Sequence, residues 1–190
     1  MAHPLSNEIF SLSIAVLTVS DTRSYKDDTS GAYLIEALTT AGHLLAERAL
    51  VKDDIYQIRA HVSRWIADEK VQVVLITGGT GFTDRDSTPE AVVPLLDKQV
   101  EGFGELFRTF SLAEIGTATI QSRALAGLAN KTLICCLPGS TGACRTGWEK
   151  ILSQQLDARH GPCNFVPQLI KLRHAEFDGA IKNCKRTPSD

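Results

Sequence analysis

"VQVVLITGGTGFTDRDSTPEA", residues 71 to 91, decides how this chain is read. Its first half is a short apolar run, rich in β-branched residues, that ends in small and polar ones; parallel strands buried on both faces have this pattern. Its second half is dense in glycine and threonine and then sets Asp84, Asp86 and Glu90 around Arg85. Glycine loses more conformational freedom on folding than any other residue, so ordering such a loop must be offset by something it holds. The amides of Gly78, Gly79, Thr80 and Gly81 attract an anion, whereas the acids repel one. A ligand carrying both phosphates and a bound cation satisfies both halves.

Outward from this stretch, "SLSIAVLTVS" (11 to 20) and "KTLICCLPG" (131 to 139) repeat the strand pattern. Between the strands, apolar residues fall at helical spacing. Leu34, Ile35 and Leu38 precede Gly42, and Ile55, Ile58, Val62 and Ile66 follow an Asp54 cap with Gln57 three residues on. Phe103, Leu106, Phe107 and Phe110 follow Gly102, while Trp148, Ile151, Leu152 and Leu156 follow the break at Pro138 and Gly139. Those aromatics read as core. The alternation predicts an α/β fold, an open sheet with helices on both faces, uninterrupted by a repeat or a low-complexity linker. Residues from about 159 onward mix proline, glycine and charge and are expected to wrap the domain before fraying.

At 190 residues the chain suits one domain. No apolar run approaches the roughly 20 residues of a membrane-spanning helix, so no membrane partner is expected. A formal net charge of -2 supplies no global basic field, which argues against nucleic acid as a partner. Five cysteines without a CxxC spacing, two of them (Cys135 and Cys136) inside an apolar run, point to a reducing, cytoplasmic setting. "MAHPLSNEIF" shows no secretion signal.

Ligands of such sheets bind beyond the carboxyl ends of the strands. Three segments fall there: "TVSDTR" (18 to 23) with "KDDTSG" after it, the glycine loop, and "PGSTGACRT" (138 to 146). Thr88, Pro89 and Glu90 read as a cap, a first helical position and an acidic first turn. Asp86, just before that helix, can hold magnesium against phosphoryl oxygens; a plain glycine turn with a capping acid is the blander alternative. Asp84 replaces the third glycine of the dinucleotide fingerprint, and Cys144 and Arg145 stand where a Walker loop has glycine and lysine, so neither motif fits. Ser140 or Thr141 caps the next helix or lines a phosphate-side turn. Ser20, Asp21 and Thr22, with Arg23 nearby, suit a polar heterocycle or form a simple turn. Of the adjacent acids, Asp54 is assigned to the cap of a helix over 55 to 67, leaving Asp53 to face the cleft. The five histidines are scattered, which supports neither zinc nor a hydrolytic triad, and Cys144 reads as a structural thiol.

Together, "TVSDTR", "DDTSG", "VVLITGGTGFTDRDSTPEA", "EGFGELFR", "QSRALAG" and "LPGSTGACRTGWEKIL" resemble the MoaB/Mog molybdopterin-binding family of molybdenum cofactor biosynthesis, from about residue 10 to 167. The resemblance implies one three-layer α/β/α domain over residues 1–167, with a mostly parallel sheet; it says nothing about residues 168–190, which are expected to form a partly disordered C-terminal extension. It implies assembly as homo-oligomeric trimers or hexamers, and contact with other enzymes of the pathway. The implied reaction is transfer of AMP from magnesium-ATP to the terminal phosphate of molybdopterin with release of pyrophosphate. Asp86 and Asp53 would be the catalytic and Mg2+-holding residues. Ser20, Asp21, Thr22, the loop Gly78 to Gly81, Thr88 and the turn Pro138, Gly139, Ser140 and Thr141 would hold the substrates. The chain keeps Arg85, Asp86, Thr88, Pro89 and Glu90 of the family's acidic loop and departs only at Ser87. A non-catalytic molybdopterin-binding or assembly protein of the same fold is the alternative, and a dehydrogenase is the class that Asp84 disfavours.

Overall fold

The computed structural model describes residues 9–169. The first half of the chain forms β1 (Ser13–Val19), α1 (Thr29–Thr40), β2 (Leu44–Val51), α2 (Ile55–Ala67), β3 (Val73–Thr77) and α3 (Thr88–Val92). The second half forms β4 (Lys98–Gln99), α4 (Glu101–Ile115), β5 (Leu125–Ala129), β6 (Thr132–Leu137), α5 (Thr141–Gly147) and, after a π-helical turn at Trp148–Leu152, α6 (Ser153–Gln155).

The six strands make one sheet in the order β2-β1-β3-β6-β5-β4. The first four in that order run parallel, while β5 pairs antiparallel with β6 and β4 antiparallel with β5. Side chains alternate across a strand, so each central strand feeds two cores. Ile14, Val16, Val73, Leu75, Leu133 and Cys135 point to one face, beneath Leu34 and Leu38 of α1, Phe103 and Phe107 of α4, and Trp148 and Ile151. Ala15, Leu17, Val74, Ile76, Ile134 and Cys136 point to the other, beneath Ile58, Val62 and Trp65 of α2 and Ala91 and Val92 of α3. The expected layered α/β architecture is therefore present, with helices on both faces of a mostly parallel sheet.

Local chemistry explains the boundaries. Asp54 caps α2, accepting from the amides of Tyr56 (3.0 Å) and Gln57 (2.9 Å), as the sequence predicts. Asp28 caps α1, accepting from the Gly31 amide at 2.8 Å. Asn130 and Lys131, both at positive φ, close the tight turn between β5 and β6.

The antiparallel edge is what strand periodicity does not reveal: β4 has only two residues and β5 reads "LAGLA". The helix after the glycine loop also differs from expectation. Ser87, not Thr88, takes the N-cap position, and Thr88 is the first helical residue. The Thr88 hydroxyl donates instead to the carbonyl of Gly78 at 2.8 Å, a bond that fastens loop to helix.

Beyond α6 the chain to Leu169 packs on the first core face, where Val166 and Leu169 are fully buried. Gln72 Nε2 donates to the carbonyl of Leu169 at 3.3 Å. Of the extension expected over 168–190, residues 170–190 lie outside the described residues.

Candidate functional site

A crevice of about 640 Å³ opens at the carboxyl ends of β1, β3 and β6, a size ordinary for small-molecule sites. The three segments singled out in the sequence converge there. Ser20, Thr22 and Arg23 come from the end of β1; Gly78 to Gly81 and Asp86 from the loop after β3; Pro138, Gly139 and Ser140 from the turn after β6. The β1–β3–β6 adjacency explains the convergence, because parallel strands side by side release their following loops at one end of the sheet.

Close approach dictates the glycines. Gly78 has φ +104, and a Cβ there would collide with the carbonyl of Val19. Gly79 has φ +65, and a Cβ would lie 2.5 Å from Asp53 Oδ2. The amide of Gly78 is spent on the carbonyl of Leu137 at 3.0 Å, continuing the β3–β6 pairing, and that of Gly81 turns to Asp86. The amides of Gly79 and Thr80 have no bonding partner among the described residues. Of the four amides expected to cradle phosphate, these two are the ones available to a ligand.

The acids take distinct positions. Asp86 lines the crevice, with Oδ2 accepting from the amide (2.9 Å) and hydroxyl (2.6 Å) of Thr83. Burial raises its pKa, but the Thr83 bonds, the Gly81 amide and the Arg123 charge outweigh burial and hold the carboxyl below the ordinary aspartate value. Asp53 stands behind the loop rather than on the crevice wall, and its Oδ1 accepts from the amide (3.0 Å) and hydroxyl (2.6 Å) of Ser87. Burial, only partly offset by Ser87 and reinforced by the charges of Asp86 and Asp21, raises its pKa. Ser87, the departure from the family pattern, is thus the residue that ties Asp53 to the loop.

Asp21 turns away from the crevice, because Arg85 grips its carboxylate with two bonds of 3.0 and 2.8 Å. Thr88 is buried at the loop base, and Thr141 faces Thr29 at 2.9 Å between their hydroxyls. Ser140 caps α5, accepting from the Ala143 amide at 3.1 Å, which resolves the choice between it and Thr141. Ser20 forms a local turn, accepting from the amides of Thr22 and Arg23. Cys144 is fully buried, and burial pushes its thiol up to about 11, so it is no thiolate nucleophile.

Sequence reading misses one wall entirely. Phe107, Ser111, Glu114 and Ile115 of α4, with Gln121 and Ser122 after it, line the crevice opposite the loops. The signal that was available is Ser111, a buried polar residue on the same helical stripe as Phe103 and Phe107. Glu114 is held in place by the Thr146 hydroxyl, 2.9 and 2.8 Å from its two oxygens.

Among the described residues no group of three or more His, Cys, Asp or Glu side chains is arranged to hold a metal. The loop acids nevertheless fit a hard cation that completes its shell with phosphate oxygens. Oδ2 of Asp53 accepts no hydrogen bond among the described residues, and burial, reinforced by repulsion from Asp86 and Asp21, already raises its pKa, a cost that a cation relieves. No helix among the described residues is long and apolar enough to cross a membrane.

Fold and crevice define an α/β protein with a crevice of small-molecule size beyond the carboxyl ends of its parallel strands. Residues 15–158 match the family described as the probable molybdopterin binding domain. Molybdenum cofactor biosynthesis protein B of Escherichia coli K12 is 59% identical over 167 residues, covering 88% of this chain and 98% of that protein. The protein of the same name from Bacillus subtilis is 44% identical over 142 residues, covering 74% and 84%. Among solved structures, a molybdenum cofactor biosynthesis protein B is 42% identical with a TM-score of 0.76, covering 79% of this chain and 94% of that one. The tungsten cofactor synthesizing protein MoaB of Pyrococcus furiosus is 36% identical with a TM-score of 0.66, covering 76% and 92%. The chain belongs to the MoaB/Mog molybdopterin-binding family of molybdenum cofactor biosynthesis proteins.

Proposed function

We propose that this chain adenylylates molybdopterin, using magnesium-ATP. The single observation that supports this reading most is Asp86 on the crevice wall, ionised, beside a glycine loop with two uncommitted amides. A terminal phosphate oxygen of molybdopterin attacks the α-phosphorus of ATP. The bond between that phosphorus and the bridging oxygen to the β-phosphate breaks, and pyrophosphate leaves with the electron pair. No protein nucleophile is needed, which agrees with the buried, protonated Cys144.

The chain's part is positioning and charge. The amides of Gly79 and Thr80 would bind phosphoryl oxygens. Asp86 and Asp53 would hold magnesium, which neutralises charge developing on the transferred group and the leaving pyrophosphate. The wall of α4, with Phe107 and Ile115 for contact and Ser111 and Glu114 for hydrogen bonding, suits a heterocycle better than a phosphate, because Glu114 would repel an anion.

The test is pyrophosphate release from magnesium-ATP by the purified full chain, with and without molybdopterin. Pterin-dependent release is the expected result. Saturable pterin binding without release would sink the enzyme reading and leave a molybdopterin-binding or assembly protein of the same fold.

A further inference from the structure

Arg123 lies between α4 and β5, in the "QSRALAG" segment, and all of its polar contacts among the described residues go to the loop that carries Asp86 or to the first turn of α3 that follows it. Its backbone amide and its Nε both point at the carbonyl of Thr80, each at 3.4 Å. Nη2 donates to the carbonyl of Asp86 at 3.0 Å, and Nη1 donates to the carboxylate of Glu90. The guanidinium also stacks on the ring of Phe82, with its carbon 5.1 Å from the ring centroid. One side chain therefore grips the loop before, at and after Asp86. Two of its acceptors, the carbonyls of Thr80 and Asp86, belong to residues that line the crevice.

These contacts exceed what a surface ion pair provides. An exposed pair contributes little because two long side chains must be ordered for one contact. Here the planar fork serves several acceptors at once, a geometry that lysine's single ammonium cannot reproduce. The loop is otherwise held from within by Thr83 on Asp86, at its base by Thr88 and Gly79, where amide and carbonyl meet at 2.9 Å, and from the side of β1 and β2 by Arg85 on Asp21 and Ser87 on Asp53. None of these reaches the α4 wall across the crevice, so none sets how the tip around Phe82 and Asp86 stands relative to it. Arg123, rooted beside that wall, does.

We propose that Arg123 is a positioning residue: it clamps the 80–90 loop to the α4–β5 junction and so sets where Asp86 stands in the crevice. Its catalytic consequence rests on the adenylyl-transfer reading above, whereas its effect on the loop does not.

The experiment pairs amide hydrogen exchange of the ligand-free full chain with steady-state turnover, for wild type, Arg123→Ala and Arg123→Lys. Exchange at Thr83, Asp86 and Thr88 should quicken about tenfold or more in both variants, with the amides of β3 and β6 unchanged. In turnover, kcat should fall about 100-fold while KM for ATP stays within about threefold, the signature of a misplaced group rather than lost binding. Arg123→Lys keeps the charge and is the safer variant for folding, so a large kcat loss there assigns the effect to the fork. Unchanged loop exchange, or exchange that rises equally in β3 and β6, would overturn the clamp. A kcat that survives in Arg123→Ala would overturn it too. If the wild type releases no pyrophosphate, the adenylyl-transfer reading falls, and loop exchange in the two variants still decides the clamp.

Discussion

Replacing Asp86 with Asn is expected to leave a folded protein whose pterin-dependent pyrophosphate release falls on the order of 100-fold or more. Folding should survive because the carboxamide oxygen can still accept both bonds from Thr83, and Asp86 sits at the crevice rim rather than in a core. The stability change should stay within about 1 kcal/mol, the ordinary worth of one hydrogen bond. What is lost is the negative charge, and with it the hold on a cation. Asp53→Asn offers the informative comparison. Its pKa is raised in the folded chain, so its charged form is disfavoured by folding, and neutralising it should cost no stability at neutral pH. Turnover should nonetheless drop. Because Asp86 is shifted down and Asp53 up in the ligand-free chain, Asp53 gains its proton first as pH falls, and the acid limb of the kcat/KM profile, which reports groups of the free protein, should follow Asp53. A variant at Asp86 with near-normal kcat would remove that residue from the metal and transfer roles.

The second large effect concerns stability. Asp28→Ala should destabilise the fold by about 3 kcal/mol, which lowers the melting temperature by about 10 °C in a domain of this size. The Asp28 side chain is fully buried and accepts from the Thr18 hydroxyl (2.6 Å), the Gly31 amide (2.8 Å) and Arg48 Nη2 (2.9 Å), joining β1, α1 and β2. Arg48 Nε is already buried without a partner, so removing Asp28 strands the guanidinium further. Burial alone would raise the pKa of Asp28, but the bonds from Thr18, Arg48 and Gly31 outweigh it and lower it below the ordinary 3.8. A depressed carboxylate stabilises fully above its unfolded value and loses that contribution as pH falls through its folded one. The wild type should therefore lose this increment only below about pH 4, and the variant should show a shallower acid decline there. Melting curves of both proteins from neutral pH down to pH 3 would check it; equal midpoints at neutral pH would refute the buried network as a stabilising element.

Much of this was legible in the sequence, for a physical reason. Strands buried on both faces spell continuous apolar runs, and their loops meet wherever the sheet brings the strands together, so β1, β3, β6 and the three site loops could be read directly. The Asp54 cap could be read too, because its chemistry is local. What escaped depends on packing. Asp21 carries the right chemistry for the crevice, but Arg85, sixty-four residues away in the chain, captures its carboxylate. Thr88 looked like a cap until the tertiary bond to Gly78 claimed its hydroxyl. The α4 wall escaped because Phe107 belongs to the core and lines the crevice with the same apolar surface, and the exposed Ile115 carries no pattern that separates a crevice-lining residue from an ordinary surface one.

The division of the sheet into two cores gives the molecule a pair of built-in optical reporters. Its two tryptophans lie on opposite sides of the strands, Trp148 in the core beneath α1 and α4 and Trp65 in the core beneath α2. Chains that keep only one indole would each report the melting of a single layer. Coincident curves would show that the β-sheet couples both layers into one cooperative unit; separated curves would show the side bearing the ligand crevice letting go on its own.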